Sequence, residues 1–337
     1  MPKTSAPLLK IENLAVSFYK ENPFSSGMLE ARAVDGASLT LEAGKTLSLV
    51  GESGCGKTMT AYAIMRLVPE PGKISQGTVR FEGKDLNLLS EKEMQRLRGN
   101  RISMIFQEPM TALNPVLTIG SQIEEAVLAH FNCPKAELRE KTLSLLRQVG
   151  IPSPEERYND YPHQMSGGMR QRIVIAMALI NRPSLIIADE PTTALDVTIQ
   201  RQILGLLSEL AHKNGTATLL ITHDLGVVRE TADEIIVMYA GKIMEHAPTE
   251  DLFANPLHPY TRGLIASIPG LPDENGKKQG KRLPTIAGTV PSLWSRPKGC
   301  PFNTRCPEAF ARCFEALPPL ARQEKESRAV RCWLFTE

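Results

Sequence analysis

The chain has 337 residues, more than one hydrophobic core usually supports, so we expect two domains or one large domain with an appendage. Its 39 basic and 37 acidic residues leave a net charge of +2, which is too weak to indicate nucleic acid or an anionic membrane surface as the main partner. Hydrophobic residues make up 42% of the chain and charged residues 23%, a balance that excludes extensive disorder.

The first residues, MPKTSAPLLKIENLAVSF, lack the apolar segment of a secretory signal, and no run approaches the roughly 18 apolar residues of a membrane-spanning helix. We therefore expect a cytoplasmic chain. In that reducing compartment the six cysteines are expected to be free thiols or metal ligands rather than disulfides.

Strands that alternate with helices predict an α/β fold. Two early strand patterns, LLKIENLAVSF and RAVDGASLTLE, are typical of an antiparallel edge sheet. TLSLV then enters a Gly-rich turn, and KTMTAYAIMRLV leaves it as a helix that Pro69, Pro71 and Gly72 are expected to end. The later strand patterns RISMIFQ, SLIIADE, TATLLITHD and DEIIVMYAG are separated by helical ones, except between the last two, which indicates a mainly parallel sheet covered on both faces.

The composition changes near Ile268, since nine of the 25 prolines and four of the six cysteines lie in the last 70 residues. We place the main domain at residues 1–267, with a helical subdomain at about 108–165. A smaller extension, rich in proline and cysteine, is expected at residues 268–337.

Residues 51–58, GESGCGKT, match the phosphate-binding loop G-x-x-x-x-G-K-[ST], and they follow a predicted strand and open a predicted helix. The three glycines let backbone amides curl around a phosphate. Lys57 is expected to reach the β- and γ-phosphate oxygens, and the Thr58 hydroxyl to bind Mg²⁺. The alternative, a Gly-rich turn without a ligand, is disfavoured by this context.

Two further segments suit phosphoryl transfer. The apolar strand LIIADE ends in adjacent carboxylates, so Asp189 can contact Mg²⁺ while Glu190 lies beside an attacking water. The helix that starts at Ser166, Gly167 and Gly168 presents unpaired amides and a positive dipole end, which indicates an anion clamp. An ordinary serine N-cap followed by glycines is the alternative for this helix start.

In chain order, GESGCGKT, Gln107, SGGMRQ, LIIADE, ALD and His223 resemble the nucleotide-binding domain of ABC transporters over residues 8–267. The resemblance implies a P-loop NTPase of the ABC type that works as a head-to-tail dimer. Each ATP would lie between the phosphate-binding loop of one subunit and the signature helix start of the other. Met165 and Met169 replace the leucine and glutamine usual in the family, and neither change removes a group that faces phosphate.

The resemblance also implies residue roles. Glu190, His223, Lys57 and Gln107 would be catalytic, with Gln107 as a lid residue and His223 at the γ-phosphate. Phe18 would stack on adenine, with Tyr19 as the alternative. Mg²⁺ would be held by Thr58, Gln107 and Asp189. The full set of expected ATP contacts is Phe18, Gly51, Glu52, Ser53, Gly54, Cys55, Gly56, Lys57, Thr58, Met59, Gln107, Ser166, Gly167, Gly168, Asp189 and, at the dimer interface, Asp196.

Cys300, Cys306, Cys313 and Cys332 are separated by five, six and eighteen residues, which does not match a C-x-x-C zinc ribbon. Four thiols in a segment with little core would still suit a tetrahedral sulfur site, and four unrelated cysteines are the alternative. Together with NPLHPYTRGLIASIP, they resemble the C-terminal extension of oligopeptide and dipeptide ABC importers. That resemblance implies a structural [4Fe-4S] cluster, which we favour over Zn²⁺.

We therefore expect an ATPase that energises di- or oligopeptide import from the cytoplasmic face of the membrane. Its implied partners are a second ABC ATPase subunit, expected to be a homologous but distinct chain, two integral membrane permeases and, indirectly, an extracytoplasmic solute-binding protein, with no nucleic acid. The alternatives are another solute, such as a nickel chelate, glutathione or an antimicrobial peptide, or a soluble ABC ATPase that acts on nucleic acid.

Overall fold

The computed structural model describes residues 6–22, 27–107, 112–193, 195–269, 284–323 and 327–336. These residues form two compact units. The first unit contains the described residues before Leu9, together with Leu41–Thr46 and Leu88–Ile221. The second unit contains the described residues of Leu9–Thr40, Leu47–Asn87 and Thr222–Glu337.

The strands in chain order are β1 (Leu9–Glu21), β2 (Met28–Leu41), β3 (Thr46–Val50), β4 (Lys73–Phe81), β5 (Lys84–Asp85), β6 (Ile102–Ile105), β7 (Leu185–Asp189), β8 (Ala217–Thr222), β9 (Glu234–Tyr239), β10 (Lys242–Pro248), β11 (Ala321–Arg322) and β12 (Ala329–Val330). The α-helices are α1 (Lys57–Met65), α2 (Glu91–Leu97), α3 (Ile119–Leu128), α4 (Lys135–Gln148), α5 (Pro154–Arg157), α6 (Gly167–Leu179), α7 (Val197–Asn214), α8 (Leu225–Thr231), α9 (Thr249–Ala254), α10 (Pro259–Ala266) and α11 (Ala311–Glu315).

The second unit contains an antiparallel sheet of order β2-β1-β4-β5. β1 and β4 pair so that Leu9 faces Phe81 and Ile11 faces Val79, and all four side chains are buried. This alternation of buried and accessible positions suits a sheet with one covered face. The predicted antiparallel edge sheet is confirmed.

A mixed sheet also lies in the second unit. β9 pairs parallel with β3 and antiparallel with β10, and β10 continues to β12 and β11 near the C-terminus. Tyr239 of β9 and Tyr260 of α10 share a buried cluster with Cys300, Phe302 and Cys313. The C-terminal segment therefore packs into the same core as β9.

In the first unit, β7 lies between β6 and β8, and all three strands are parallel. Every residue of β7 and β8 is buried, as expected for strands covered on both faces. The helices α3, α4 and α5 fall within the predicted helical block, which also contains a 3₁₀ turn at Pro162–Gln164 and connecting loops among its described residues. The domain limits at 108–165 and 267 stay predictions.

One helix end differs from the expectation. α1 ends at Met65, before the prolines that were expected to stop it, because Arg66 adopts a left-handed conformation with φ of 52°. The backbone N–H of Arg66 donates to Ala63 O and Tyr62 O, which closes the last turn. Among the described residues, no helix combines the length and apolarity that crossing a bilayer requires.

Candidate functional site

The phosphate-binding loop, residues 51–58, joins β3 to α1, and its glycines have different reasons to be glycine. A Cβ at Gly51 would lie 2.2 Å from Met238 O, and one at Gly56 would lie 2.5 Å from Ala33 O. Gly54 has φ of 77°, yet a Cβ there would meet no atom within 4 Å. Gly51 and Gly56 thus let the loop approach neighbouring backbone closely, whereas the exposed Gly54 borders open space.

Lys57 folds back over this loop. Its Nζ donates to Gly51 O at 2.7 Å and to Glu52 O at 3.2 Å, and the residue is 5% exposed. Cys55 is buried beside it, and that burial raises the pKa of the thiol. The ammonium is therefore held next to the open side of the loop, where it can bind an anion. Ser53 and Gly54 are exposed, and Thr58 and Met59 are half-buried.

Glu52 makes contacts that its position in the motif does not predict. Its carboxylate accepts two hydrogen bonds from Arg305, and its backbone N–H donates to the Tyr260 hydroxyl at 2.9 Å. Sequence reasoning missed both residues, because nothing near Arg305 or Tyr260 in the sequence marks them as neighbours of the loop. The expected contact of Glu52 with ATP stays a prediction.

In the first unit, Asp189 is the last residue of the buried strand β7, and Glu190 follows it. Asp189 is 1% exposed, whereas Glu190 is half-buried and has φ of 45°, a left-handed conformation that is costly for a residue other than glycine. Gln107 Nε2 and Thr193 Oγ1 each donate to Glu190 Oε2 at 3.1 Å. The strained turn and these two donors fix the direction of the Glu190 carboxylate.

Ser166 is the N-cap of α6, and its Oγ accepts a hydrogen bond from Met169 N–H at 3.3 Å. Ser166 and Gly167 are exposed, so the start of the helix is open to an anion. A Cβ at Gly168 would lie 3.2 Å from Ile199 Cγ2. Gly168 thus also permits close packing against α7, a reason that the sequence did not reveal.

Other predicted site residues take these places. Asp196 is exposed and caps α7, with Oδ1 accepting from Ile199 N–H at 3.0 Å. His223 is exposed directly after β8. Phe18 is half-buried in β1, and a Cβ at Gly72 would lie 2.7 Å from its ring.

The predicted site residues are therefore divided between the two units. The loop, Phe18 and His223 belong to the second unit, whereas Gln107, Asp189, Glu190, the α6 start and Asp196 belong to the first. The predicted Mg²⁺ set takes Thr58 from one unit and Asp189 and Gln107 from the other, so it stays a prediction.

The cysteines of the C-terminal segment line one small cavity of about 10 Å³, together with His258, Asn303 and Glu308. Burial and the neighbouring sulfurs raise the pKa of Cys300 to about 12 and that of Cys332 to about 11. Burial lowers the pKa of His258 to about 3, so this imidazole is neutral.

The cysteine cavity bears on the expected metal site. In the described part of the chain, no group of three or more His, Cys, Asp or Glu side chains is arranged to hold a metal ion. The predicted cluster or zinc ion at Cys300, Cys306, Cys313 and Cys332 is therefore not confirmed and stays a prediction. None of these four thiols forms a disulfide.

A family model described as ABC transporter matches residues 34–193, and one described as oligopeptide/dipeptide transporter, C-terminal region, matches residues 244–313. A dipeptide transport ATP-binding protein of Bacillus subtilis is 51% identical, over 97% of this chain and 94% of its own length. The chain belongs to the ABC transporter family of ATP-binding proteins. An oligopeptide transport ATP-binding protein of Bacillus subtilis is 49% identical to this ABC ATPase, over 98% of this chain and 97% of its own length.

Solved structures agree with this membership. A dimeric ATP-binding cassette in a post-hydrolysis state, bound to ADP and Pi, is 28% identical and has a TM-score of 0.61. The match covers 72% of this ABC ATPase and 98% of that chain. The predicted ABC-type α/β fold and the predicted ATPase activity are thereby confirmed.

Proposed function

We propose that this ABC ATPase energises the import of di- or oligopeptides through a membrane ABC transporter. The observation that carries the proposal is the similarity to dipeptide and oligopeptide transport ATP-binding proteins, at 49–51% identity over 97–98% of the chain. The match of residues 244–313 to the C-terminal region of such transporters supports the same cargo, because it lies beyond the ATPase motifs.

MgATP would bind at a composite site in a head-to-tail dimer. The phosphate-binding loop would hold the β- and γ-phosphates through Lys57 and the loop amides, and Phe18 would stack on adenine. The exposed start of α6, with Ser166 and Gly168, would contact the γ-phosphate of a nucleotide held by the other subunit. Asp196, which caps α7, would lie at the dimer interface.

Hydrolysis requires an oriented water and stabilised phosphate charge. Glu190 would polarise that water, since Gln107 and Thr193 already fix its carboxylate. His223 and Lys57 would stabilise charge on the γ-phosphate. Thr58, Asp189 and Gln107 would hold Mg²⁺, which neutralises phosphate charge when bound; hydroxyl, carboxylate and amide oxygens are suitable donors.

The chain would act at the cytoplasmic face of the membrane, docked to two permease subunits and paired with a second ABC ATPase subunit. A solute-binding protein outside the membrane would deliver the cargo. The names of its relatives, which are transport ATP-binding proteins, support this arrangement. The modest net charge of +2 argues against the alternative of a nucleic-acid ATPase.

Uptake by the complete transporter tests the cargo. The chain is reconstituted in proteoliposomes with its permeases and partner ATPase, and ATP-dependent uptake of a labelled dipeptide, a labelled pentapeptide, glutathione and a nickel chelate is compared. Peptide uptake that competes with unlabelled peptide supports the proposal. Uptake of glutathione or the nickel chelate without peptide uptake contradicts the peptide assignment and leaves the ATPase role intact.

We also propose that the cysteine cavity holds a structural [4Fe-4S] cluster, with Zn²⁺ as the alternative. One feature supports a bound group: all four thiols line one cavity. Four cysteine thiolates suit either group. Because the cavity is small, binding would require the thiols to rearrange around the group.

Metal analysis decides between these two. Protein purified without oxygen is assayed for iron, acid-labile sulfide, zinc and visible absorbance. About four iron and four sulfide per chain are expected for the cluster. Stoichiometric zinc without visible absorbance selects the alternative, and neither metal at stoichiometric level contradicts both.

A further inference from the structure

The phosphate-binding loop is tied to the C-terminal segment through the side chain of Glu52. Arg305 Nη1 donates to Glu52 Oε2 at 2.5 Å, and Arg305 Nη2 donates to Glu52 Oε1 at 3.0 Å. The Arg305 side chain is 4% exposed and that of Glu52 is 29% exposed. Two parallel hydrogen bonds in a mostly buried pair fix the orientation of the carboxylate as well as its charge.

Arg305 is itself held in place from several directions. Its Nε donates to Ala287 O at 2.8 Å, its Nη2 to Ile286 O at 3.2 Å, and its Nη1 to the Tyr239 hydroxyl at 3.2 Å. The hydrogen bonds to Glu52 raise the pKa of the guanidinium. Because these partners orient the guanidinium, Glu52 meets a preorganised donor pair rather than a mobile side chain.

Tyr260 holds the backbone at the same residue. The Glu52 N–H donates to the Tyr260 hydroxyl at 2.9 Å, and Tyr260 is fully buried. Its ring packs against Tyr239 and Phe302, with centroid distances of 4.8 and 5.2 Å. His258 Nδ1 accepts from Tyr260 N–H at 3.0 Å, which fixes the start of α10. Tyr260 therefore reaches the loop from a rigid aromatic cluster.

Glu52 occupies a position that the phosphate-binding motif leaves unspecified, so the motif itself does not explain a glutamate there. Its carbonyl accepts a hydrogen bond from Lys57 Nζ, as does the carbonyl of Gly51. A shift of Glu52 would therefore move two acceptors that hold the lysine. The contacts of Glu52 thus affect the position of Lys57, the residue expected to reach the phosphates.

We propose that Arg305 and Tyr260 are positioning residues for ATP: by holding Glu52 they keep the start of the phosphate-binding loop, and Lys57, in the conformation that receives the β- and γ-phosphates. The C-terminal segment thus sets the affinity of the loop for ATP. This inference rests on the proposed role of residues 51–58 in binding phosphate. Arg305 directly precedes Cys306, which lines the cysteine cavity.

Two conservative variants of the full-length chain test the proposal. Arg305→Lys keeps the charge and loses the paired hydrogen bonds, and Tyr260→Phe loses only the hydroxyl acceptor. Purified proteins are compared by binding of a fluorescent ATP analogue and by the KM and kcat of MgATP hydrolysis. Because the contact acts through Lys57, which would bind the phosphates and also stabilise their charge, Arg305→Lys is expected to raise KM and Kd about tenfold and to lower kcat by a smaller factor.

A combined variant separates positioning from general loss of structure. Glu52→Gln and Arg305→Lys disturb the same pair, so the double variant is expected to raise KM about as much as the more severe single variant. Arg322→Lys is the matched control, since Arg322 lies in the same C-terminal extension and is exposed in β11. Its KM is expected to match the wild type.

Thermal unfolding of each variant accompanies the kinetics. The inference is overturned if the Arg305→Lys and Tyr260→Phe proteins are folded and keep the wild-type KM and Kd. It is also overturned if the two substitutions of the double variant raise KM by fully additive amounts. Failure of the wild-type chain to bind ATP is a different result, because it removes the proposed role of the loop itself.

Discussion

Gln107 and Glu190 meet through their side chains, with Gln107 Nε2 3.1 Å from Glu190 Oε2. The two residues are 83 positions apart, and Thr193 donates to the same carboxylate oxygen. Glu190 also has a left-handed backbone, which the hydrogen bond from its N–H to Ile221 O at 2.8 Å helps to hold. A carboxylate aimed by a strained turn and two donors is suited to orienting one water molecule.

Glu190→Gln is expected to preserve ATP binding and to lower the kcat of hydrolysis about 10²- to 10⁴-fold, the usual contribution of a positioned proton acceptor. The amide keeps an oxygen that can accept from Gln107 and Thr193, so the fold should not change. Because ATP is bound and not split, a dimer should accumulate. Kinetics, nucleotide binding and size-exclusion chromatography with light scattering measure the three effects.

Glu155→Gln is the matched control for this variant. Glu155 lies in the same unit and pairs with Arg147 on the surface, where both side chains are about half exposed. Its removal should leave hydrolysis unchanged, because exposed ion pairs contribute little. Undiminished hydrolysis by Glu190→Gln contradicts the assignment of Glu190.

The glycines of the phosphate-binding loop predict two different defects. In Gly51→Ala, the new methyl would meet Met238 O at 2.2 Å, so we expect about 1–3 kcal/mol or more of destabilisation from overpacking. In Gly54→Ala, the methyl enters open space, and the positive φ costs only about 1 kcal/mol. That methyl would intrude where phosphate is expected, so ATP affinity should fall at least about tenfold.

Urea unfolding and ATP titration separate these two variants. Gly54→Ala should be folded and bind ATP poorly, whereas Gly51→Ala should unfold at lower urea. If Gly54→Ala binds ATP as tightly as the wild type, the open side of the loop does not receive phosphate.

Local pattern was enough to predict much of the fold and part of the site. The phosphate-binding loop between β3 and α1 was predictable because its glycines, the preceding apolar strand and the following helix are all adjacent in the chain. Ser166 at the start of α6 and the two carboxylates at the end of β7 were predictable for the same reason. These features depend on short-range geometry, which sequence spacing reports directly.

Contacts between distant residues were not predictable in this way. Arg305 and Glu52 are separated by 253 positions, and the segment that carries Arg305 has little regular structure to set its direction. The left-handed turn at Arg66 also lacks a glycine or proline signal, so α1 ends earlier than expected. Cysteine spacing suggested a common site, but spacing does not report how far the sulfurs lie from one another.

Asp35 predicts an acid-sensitive part of the second unit. Its Oδ2 lies 2.7 Å from Lys242 Nζ, and its Oδ1 lies 3.3 Å from Arg32 Nη1. Burial acts to raise the pKa of Asp35, but hydrogen bonds and charges from Lys242 and Arg32 outweigh it and lower the pKa below its ordinary value. Burial lowers the pKa of Lys242, but this amine loses its proton only at alkaline pH and therefore does not affect stability in acid.

A carboxylate with a lowered pKa stabilises the fold at neutral pH, and this contribution is lost as pH falls below about 4 through the folded-state pKa. Asp35→Asn should therefore be less stable than the wild type at pH 7, with a gap that narrows towards pH 3. Urea unfolding at pH 7, 5, 4 and 3 measures the gap. Adding Lys242→Met to Asp35→Asn should recover stability at pH 7, because an unpaired buried amine is removed; a gap independent of pH contradicts the assignment.

Ser166 and Ser90 allow the capping role of a serine to be separated from a role in binding the γ-phosphate. Both are helix N-caps in the first unit, and each Oγ accepts from the third helical N–H at 3.3 Å, from Met169 and Glu93 respectively. Replacement of either serine by alanine should cost about 1 kcal/mol of stability. Only Ser166→Ala should also reduce ATP hydrolysis, because only the start of α6 is proposed to contact nucleotide across the dimer.

The defect of Ser166→Ala should depend on which subunit carries it. Mixed dimers are assembled from one chain bearing Ser166→Ala and one bearing Lys57→Ala. If each site is shared between chains, one site carries both substitutions and the other carries neither. If each site is formed by one chain, each site carries one substitution. If the loop and the α6 start that act on one ATP come from different chains, the mixed dimer concentrates both lesions in one site and keeps one intact site. Hydrolysis should then exceed that of either variant dimer alone. No recovery in a verified mixed dimer contradicts a site shared between two chains.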